Sequence, residues 1–377
     1  MIWSETTIAA EFEVQLGKML DFARNSGDPK LYIGNRAVQW GYIDLSSASY
    51  VPLTRQDVLR FRLRKGDLLV CEGGEVGRAA IWEYDVECYY QKALHRLRPR
   101  REYNARVLLA ILELRAKSGG FADYVTQTSI AHLPRDKFLT LPIPSIPEDE
   151  QQRIATVLAD ADCLIDALQR LIAKKRDVKQ GMMQELLTGR TRLPGFTGEW
   201  RGRRLGDLLA YEQPGRYLVS SAEYIEAGGV PVLTAGKTFV LGHTNESHGV
   251  YDSLPVVIFD DFTTASKYVT FPFKAKSSAM KMLSAKSGAN LRFAYERMQL
   301  IDFPIADHKR RWIAEFSKLE VSVPSFEEQK AIASVLENAD AEISALERRL
   351  ESARAVKQGM MQELLTGRTR LLAKVAA

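Results

Sequence analysis

Cysteine is scarce in this sequence, and a long hydrophobic run is missing. The 377 residues include three cysteines, Cys71, Cys88 and Cys163, which lie far apart and form no Cys-x-x-Cys pair. This spacing argues against a disulfide framework and against a structural zinc site, and it favours a reducing cytoplasm. No segment approaches the roughly 20 apolar residues of a membrane-spanning helix. The first residues carry acids where a signal peptide has basic and then apolar residues, so we expect a cytoplasmic protein without a membrane partner.

Charge of either sign is not in large excess. The sequence has 52 Lys and Arg against 47 Asp and Glu, which gives a net charge of +5. This excess is too small to identify a nucleic-acid-binding protein by bulk charge, although it permits local basic faces. The hydrophobic fraction of 46% and the charged fraction of 26% are typical of a globular protein and argue against extended disorder. The length predicts two or three domains.

Glycine-rich phosphate-binding motifs are also missing. The A-G-K-T at 235–238 resembles the end of a phosphate-binding loop, but Pro231 stands where the motif requires its first glycine. The segment CEGGEVGR at 71–78 lacks the G-x-G-x-x-G spacing of a dinucleotide site. We therefore interpret both segments as turns.

The acids and histidines form no recognisable metal or catalytic set. Asp260 with Asp261, and Glu72 with Glu75, have the side chains of nuclease metal ligands, but no acid-x-Lys sequence lies nearby. Salt-bridging or capping is the simpler interpretation of all four carboxylates. The five histidines contain no H-E-x-x-H pair. The sequence therefore predicts a chain that is not an enzyme and binds no metal.

The sequence contains a long internal repeat. VKQGMMQELLTGRTRL occurs at 178–193 and again at 356–371, and the match continues upstream in weaker form. Proline-containing segments precede both copies, and the two remaining blocks of the chain share no obvious sequence. The repeat therefore predicts two different blocks that alternate with two equivalent segments, at 1–143, 144–193, 194–323 and 324–377.

Both copies of the repeat have the apolar spacing of a long helix. Hydrophobic residues recur in alternating steps of four and three, which is typical of a coiled-coil seam. They are Ile154, Leu158, Ala161, Ile165, Leu168 and Ile172 in the first copy and Ile332, Leu336, Ala339, Ile343, Leu346 and Leu350 in the second. Ser145 and Ser325 are the predicted N-caps, and Gly189 and Gly367 are the predicted C-terminal stops.

The charge pattern predicts how the two helices pack. Acids are concentrated in the first half of each helix and bases in the second half. Parallel packing would place acid beside acid, whereas antiparallel packing pairs the acidic half of one helix with the basic half of the other. The alternative explanation is that helices in general carry acids first and bases last. We predict an antiparallel coiled coil, with Ile154 near the end of the second helix and Ile332 near the end of the first.

The two blocks have a mixed α/β pattern. Apolar and β-branched runs bounded by turn residues predict strands at 31–35, 67–72, 79–84, 230–235, 255–260 and 267–271. Helical periodicity occurs at 105–118 and at 308–319. The predicted fold class is α/β (mixed α+β), with two globular blocks separated by two long helices in a pseudo-two-fold arrangement.

In these features the chain resembles the specificity (S) subunit of a type I restriction–modification system. The resemblance rests on both KQGMMQELLTGRTRL copies, on Pro147–Gln152 and Pro324–Gln329 before them, and on GDLLVCEGGEVGRAAIW (66–82) and GVPVLTAGKTFVLG (229–242). It implies that the two blocks are target-recognition domains, each of which reads one half of a bipartite, asymmetric site in double-stranded DNA. It also implies that the helices space these domains and dock methyltransferase subunits.

The resemblance places the chemistry on partner subunits of a prokaryotic, cytoplasmic complex. This chain would direct methyltransferase (M) and restriction/translocase (R) subunits, and S-adenosylmethionine, ATP and Mg would be bound by them and not by this chain. Three alternatives stay open: a specificity subunit of a related system with a differently arranged nuclease, a coiled-coil adaptor that binds no DNA, and a fused catalytic enzyme.

Polar loop residues of the blocks are the candidate DNA contacts. Arg and Lys suit guanine, Asn and Gln suit adenine, and Thr suits a phosphate or a thymine methyl group, although turn capping is an alternative role for several of them. The candidates are Asn35, Arg36, Gln39, Gln91 and Lys92 in the first block and Lys237, Thr238, Thr264, Lys267 and Lys281 in the second.

The repeated segments contain more apolar residues than one helix seam can bury, which predicts a partner-binding surface. These apolar residues are Met182, Met183, Leu186, Leu187, Met360, Met361, Leu364 and Leu365.

Overall fold

The computed structural model describes residues 3–20, 25–127, 131–236, 238–304 and 310–371. The chain forms two compact units, one of Met1–Gln169 with Arg348–Ala377 and the other of Arg170–Glu347, called unit 1 and unit 2 below. Each unit therefore contains one block, one part of the first long helix and one part of the second.

The bounds of the elements follow in chain order. The helices are α1 (Ile8–Glu11), α2 (Arg55–Phe61), α3 (Ala105–Lys117), α4 (Arg135–Leu139), α5 (Glu148–Leu186), α6 (Leu205–Leu208), α7 (Leu291–Gln299) and α8 (Phe326–Leu365). The strands of unit 1 are β1 (Glu5–Thr7), β2 (Phe12–Leu16), β3 (Asp28–Ile33), β4 (Ser49–Leu53), β5 (Leu68–Cys71), β6 (Ala79–Ile81), β7 (Tyr89–Tyr90), β8 (Leu94–Pro99), β9 (Thr126–Gln127), β10 (Ala131–His132) and β11 (Pro142–Pro144). Those of unit 2 are β12 (Arg201–Arg204), β13 (Leu209–Glu212), β14 (Val230–Leu233), β15 (Val240–Thr244), β16 (Val256–Asp260), β17 (Ser266–Val269), β18 (Lys274–Ala275), β19 (Met280–Ala285) and β20 (Glu320–Val323).

The two blocks have the same sheet topology although they share no obvious sequence. Unit 1 has a four-stranded antiparallel sheet in the order β2-β8-β5-β6 and a three-stranded sheet in the order β4-β3-β7. Unit 2 repeats this arrangement as β13-β19-β16-β17 and β15-β14-β18. In both three-stranded sheets one pair is antiparallel and the pair with the shortest strand, β3 with β7 or β14 with β18, is parallel. The mixed α/β class and all six predicted strands are confirmed.

One inner strand of each four-stranded sheet, β5 in unit 1 and β16 in unit 2, is apolar on both faces. In β5, Leu68 and Val70 belong to one hydrophobic core and Leu69 and Cys71 to another. The strand β16 has the same arrangement: its successive side chains point alternately into two separate cores. Burial on both faces explains why these strands appear in the sequence as continuous apolar runs and lack alternation with polar residues.

The two long helices pack antiparallel, as the sequence predicts. In unit 1, Ile154 on α5 shares a core with Met361 and Leu364 near the end of α8. In unit 2, Ile332 at the start of α8 shares a core with Met183 near the end of α5. The opposed charges meet in ion pairs between the helices, including Lys357 with Asp162 in unit 1 and Lys179 with Asp340 in unit 2, both at 2.7 Å.

The predicted helix ends are confirmed at three of four positions. Ser325 caps α8, because its hydroxyl oxygen accepts the amide hydrogen of Glu328 at 3.4 Å. Gly189 and Gly367 both have φ of 74°, the left-handed conformation that ends a helix and favours glycine. The prediction for Ser145 is wrong, since α5 begins at Glu148 after Pro147, whose carbonyl oxygen accepts the amide hydrogen of Gln151 at 2.8 Å.

The segments before the two helices make equivalent contacts in the two units. The buried carboxylate of Glu150 accepts a hydrogen bond from Arg370 at 2.8 Å, and that of Glu328 accepts one from Arg192 at 2.6 Å. These four residues are related pairwise by the offset of the repeat. The repeated acid and the repeated arginine therefore tie the start of one long helix to the residues that follow the other.

The glutamines beside these acids hold the two blocks against the long helices. The side-chain oxygen of Gln151 accepts the amide hydrogen of Asn104, which caps α3, at 2.7 Å. In the same way, the side-chain oxygen of Gln329 accepts the amide hydrogen of Asn290, which caps α7, at 2.9 Å. The Glu-Gln pair of each repeat thus joins a long helix both to its antiparallel partner and to the block of its own unit.

One predicted helix is wrong and a different one is present. Residues 310–319 form a turn and a short 3-10 segment, and residues 308 and 309 lie outside the described residues. The amide of Trp312 donates to the side chain of Asp261 at 3.0 Å, so it is not available to an α-helical carbonyl. The helix of this region is α7, whose buried Glu296 interrupts the apolar pattern by which a helix is recognised in the sequence.

His95 gives unit 1 a pH-dependent contribution to stability. Its buried ring donates from Nε2 to the carbonyl oxygen of Leu133 at 2.9 Å, and burial lowers the pKa of His95 to about 4. Because the unfolded chain has a histidine pKa of about 6.5, the contribution is present above pH 6.5 and is lost as the pH falls towards 4. We expect the stability of the wild type to fall by about 3 kcal/mol more than that of His95→Gln between pH 7 and pH 4. Urea unfolding at a series of pH values measures the free energy of unfolding, with His132→Gln, a change at an exposed histidine, as the control. An equal dependence of that free energy on pH in the wild type and in His95→Gln would contradict the prediction.

Candidate nucleic-acid interface

Three loops in each unit occupy equivalent places in the shared topology. In unit 1 they are 34–40 after β3, 72–78 between β5 and β6, and 91–93 between β7 and β8. In unit 2 the corresponding loops are 234–239, 261–265 and 276–279, of which residue 237 is not described. In both units the same backbone hydrogen bond joins the third loop to the end of the strand that precedes the first loop. It runs from Gln91 N to Ile33 O at 3.1 Å and from Lys276 N to Leu233 O at 3.0 Å.

The first two loops of unit 1 are held together by a charged clamp. Arg78 donates to the carbonyl oxygen of Asn35 at 3.0 Å and forms an ion pair with Glu75 at 3.2 Å. The indole of Trp40 donates to the other oxygen of Glu75 at 2.6 Å. The thiol of Cys71 also lies 3.7 Å from the carbonyl oxygen of Asn35, and burial raises the pKa of Cys71 to about 11. The thiol therefore stays protonated, and Asn35, a half-exposed residue, is held in place by its backbone carbonyl.

Gln91 completes this surface from the third loop. A Cβ atom at Gly34 would lie 2.5 Å from the side-chain nitrogen Nε2 of Gln91, so a larger residue there would displace the end of the Gln91 side chain. Arg36 and Lys92 are exposed, and the half-buried Gln39 donates to the carbonyl oxygen of Arg36 at 2.8 Å. The structure thus brings the five candidates of the first block onto neighbouring loops.

The second unit presents fewer of its candidates. Thr238 is exposed in the 234–239 loop, Thr264 is half-buried in the 261–265 turn, and Lys237 lies outside the described residues. Lys267 is exposed but lies on strand β17, so its predicted position in a loop is wrong. The turn is held by Asp260, whose carboxylate accepts the amides of Phe262 at 2.9 Å and Thr263 at 2.8 Å. The capping role predicted for Asp260 is therefore confirmed.

Lys281 is not on the surface. Its side chain is 1% exposed, and its ammonium lies 2.7 Å from the equally buried carboxylate of Asp261 and 3.0 Å from the side-chain oxygen of Gln213. The sequence pattern around Lys281 did not distinguish a buried strand position from a loop. This placement corrects the list of DNA contacts, because a lysine enclosed in an ion pair offers DNA no free donor.

The predicted partner surface on the long helices is also corrected. Six of its eight residues are buried in the cores of the units, and Met182 and Met360 are partly buried against the same cores. The buried ones are Met183, Leu186, Leu187, Met361, Leu364 and Leu365. The sequence indicated correctly that one helix seam could not bury all of these side chains, but residues of the two blocks cover the remainder.

Several residues of these surfaces were not identified from the sequence. Arg78 is one of them: it forms the clamp of unit 1 with Glu75, for which the sequence favoured a salt-bridging or capping role. Lys276 is another, and it occupies in unit 2 the place of Gln91. The spacing of Glu75 and Arg78 within a glycine-rich turn is a usable signal for an i,i+3 ion pair. No sequence signal marks Lys276, because its equivalence to Gln91 depends on strand pairing.

The remaining described residues add neither a metal site nor a membrane span. Within the ranges that the structure covers, no three His, Cys, Asp or Glu side chains are grouped to bind a metal ion. No helix in those ranges is both long and apolar enough to cross a bilayer.

The fold and its loops define a class of protein with two recognition blocks of one topology, each packed on parts of the same two long helices. This fold is found in the S subunit of the type I restriction–modification system of M. genitalium, with a TM-score of 0.62 and 17% identity over 97% of this chain and 96% of that chain. A chain from a structure on complex assembly and conformational transition of the type I R-M system gives a TM-score of 0.57 and 14% identity, over 96% of this chain and 97% of that chain.

The sequence gives the family. The profile of the Type I restriction modification DNA specificity domain matches residues 14–174 and again residues 197–353, once for each block with its following helix. The chain therefore belongs to the type I restriction–modification DNA specificity family.

Two curated relatives illustrate the range of similarity. The Type I restriction enzyme EcoR124I/EcoR124II specificity subunit of Escherichia coli is 47% identical over 138 residues, which is 35% of this chain and 34% of that protein. This match thus spans about a third of the relative's length. The putative type I restriction enzyme MjaX specificity subunit of Methanocaldococcus jannaschii is 24% identical over 361 residues, 87% of this chain and 84% of that protein.

Proposed function

We propose that this chain is the DNA-reading subunit of a cytoplasmic type I restriction–modification complex and recognises a bipartite, asymmetric site in double-stranded DNA. The observation that carries the proposal is that two blocks of one topology present equivalent loops with different polar side chains. Equivalent loops imply the same mode of contact with DNA, while different side chains imply different base preferences. One block would read each half of the target.

The long helices account for a fixed gap in such a target. Both α5 and α8 continue from one unit into the other, and a helix keeps its length as a flexible linker does not. A protein built in this way can ignore the sequence between two half-sites and still require a defined spacing between them. The division into target-recognition domains at 1–143 and 194–323, with conserved helical segments at 144–193 and 324–377, belongs to the same proposal.

Methyltransferase subunits would dock on the exposed face of the repeated helical segment. Val178 and Val356 are the same position in the two identical copies, and they are 48% and 59% exposed. Gln184 and Gln362 are likewise exposed in both copies. Core packing explains why the buried residues of the repeat are identical but gives no reason for identical exposed residues. Two equivalent docking surfaces for identical partner subunits give such a reason.

The chemistry of the complex would lie on the partner subunits. S-adenosylmethionine would be bound by the methyltransferase subunits, and ATP and Mg by the restriction subunits. This chain would supply the choice of DNA sequence, through direct contacts to bases and phosphates in its loops.

The division of labour between the units is tested by alanine substitution in one unit at a time. Gln91→Ala should relax one half-site and Lys267→Ala the other, each by about 1–3 kcal/mol if the side chain reads a base. Binding of a randomised bipartite DNA library by the full chain measures both preferences together, with Lys174→Ala on the exposed face of α5 as the control. Relaxation of both half-sites by either change would contradict the proposal, and no selection of DNA by the wild type would favour the coiled-coil adaptor.

A further inference from the structure

Lys276 stands in unit 2 where Gln91 stands in unit 1. Each residue directly follows the shortest strand of a three-stranded sheet, and each donates its backbone hydrogen to the last residue of the neighbouring parallel strand. The bond from Lys276 to Leu233 places Lys276 beside the start of the 234–239 loop, which carries Thr238. Lys276 therefore belongs to the recognition surface of unit 2 by topology.

Among the lysines of this region, Lys276 keeps its charge available. Lys274 is buried with its ammonium 2.6 Å from Glu246, and Lys281 is buried against Asp261. The ammonium of the exposed Lys276 forms no ion pair with, and donates no hydrogen bond to, any residue that the structure describes. Its ammonium lies 5.3 Å from the centre of the Tyr224 ring.

The contact with Tyr224 positions the ammonium without neutralising it. A cation over an aromatic face is attracted to the ring, which restricts the long lysine side chain and leaves its three hydrogen-bond donors free. The hydroxyl of Tyr224 is itself buried and has no hydrogen-bond partner among the described residues. A restricted donor loses less conformational entropy when it binds than a freely rotating one.

We propose that Lys276 is a specificity-determining residue of the second block and donates to the acceptor edge of a guanine in its half-site. The inference rests on the proposed function. Guanine presents two acceptors, O6 and N7, in the major groove, and a lysine ammonium is one of the groups that commonly contact them.

The test compares Lys276→Met, Lys276→Arg and wild type in selection from a randomised bipartite library by the full chain. Lys276→Met keeps most of the apolar stem but removes the donors, so discrimination at one guanine of one half-site should fall about tenfold or more. Lys276→Arg should keep the preference for that guanine, because arginine also suits guanine. Lys330→Met is the control, since Lys330 is another exposed lysine of unit 2 whose ammonium lies 5.1 Å from an aromatic ring, that of Phe326. It differs from Lys276 in that its ammonium pairs with Glu327 at 2.7 Å.

The outcomes separate the inference from the proposed function. If the wild type selects a bipartite site and Lys276→Met selects the same site with the same discrimination, the inference fails and the proposed function stands. Uniform loss of affinity across all sequences would identify a phosphate contact and overturn the base-reading role. If the wild type selects no DNA, the proposed function itself fails. Thermal unfolding of each variant checks that the fold is retained.

Discussion

Lys281→Met should destabilise unit 2 by about 3–5 kcal/mol, although the substitution changes no residue of the exposed loops. The change removes a buried ammonium from a buried carboxylate that lies 2.7 Å away. Among the described residues, the carboxylate of Asp261 then keeps the hydrogen bond from the amide of Trp312 at 3.0 Å, which does not compensate a full charge. Breaking one side of a buried ion pair costs more than the pair contributes, because the remaining charge is desolvated and unpaired.

A double substitution distinguishes the loss of the whole ion pair from the loss of one of its partners. Lys281→Met combined with Asp261→Asn should recover most of the lost stability, because no buried charge is left without a partner. The free energy of unfolding in urea measures both variants. Lys267→Met, a change at an exposed lysine on strand β17 of the same sheet, should alter it by less than about 0.5 kcal/mol. Full stability of Lys281→Met together with altered choice of DNA would return Lys281 to the recognition surface.

The architecture could be predicted because it depends on patterns that are local in the sequence. The helix seam at Ile154 and Ile332, the closing glycines and the charge polarity together predict antiparallel α5 and α8. The strands could be predicted because those that are buried on both faces, such as β5 and β16, are continuous apolar runs in the sequence. The helix α7 was missed because Glu296 is buried on its core side and paired with Arg292 and Lys179, an arrangement that no local pattern announces.

The equivalence of the two blocks could not be predicted because it depends on strand pairing between distant residues. The pairs of β3 with β7 and of β14 with β18 involve unrelated sequences. Only this topology shows that Gln91 and Lys276 correspond. The same limit explains why Lys281 and Lys276 could not be distinguished: both are lysines near a strand, but one points into the sheet's core and the other is exposed.

Met361→Asp should prevent unit 1 from folding, although the same position was first predicted to be a partner surface. The side chain of Met361 is fully buried in the core of unit 1, with Ile154 and Leu158 of α5. Truncation of a buried methionine to alanine alone costs about 2–5 kcal/mol. A carboxylate in the same place adds the cost of a buried charge with no partner, which together approaches the whole stability of a typical domain.

Val356→Asp is the matched change on the exposed face of the same helix, five residues earlier. Because Val356 is 59% exposed, its substitution should alter the free energy of unfolding by less than about 1 kcal/mol. If the repeated segment is the docking surface, however, this variant should lose co-purification with methyltransferase subunits, and Val178→Asp should have the same effect in unit 2. Circular dichroism with thermal unfolding, followed by co-purification, distinguishes the two kinds of change. A folded Met361→Asp protein that has lost its partner would show that Met361 is exposed after all, and a Val178→Asp, Val356→Asp double variant that still co-purifies would place the docking surface outside the repeat.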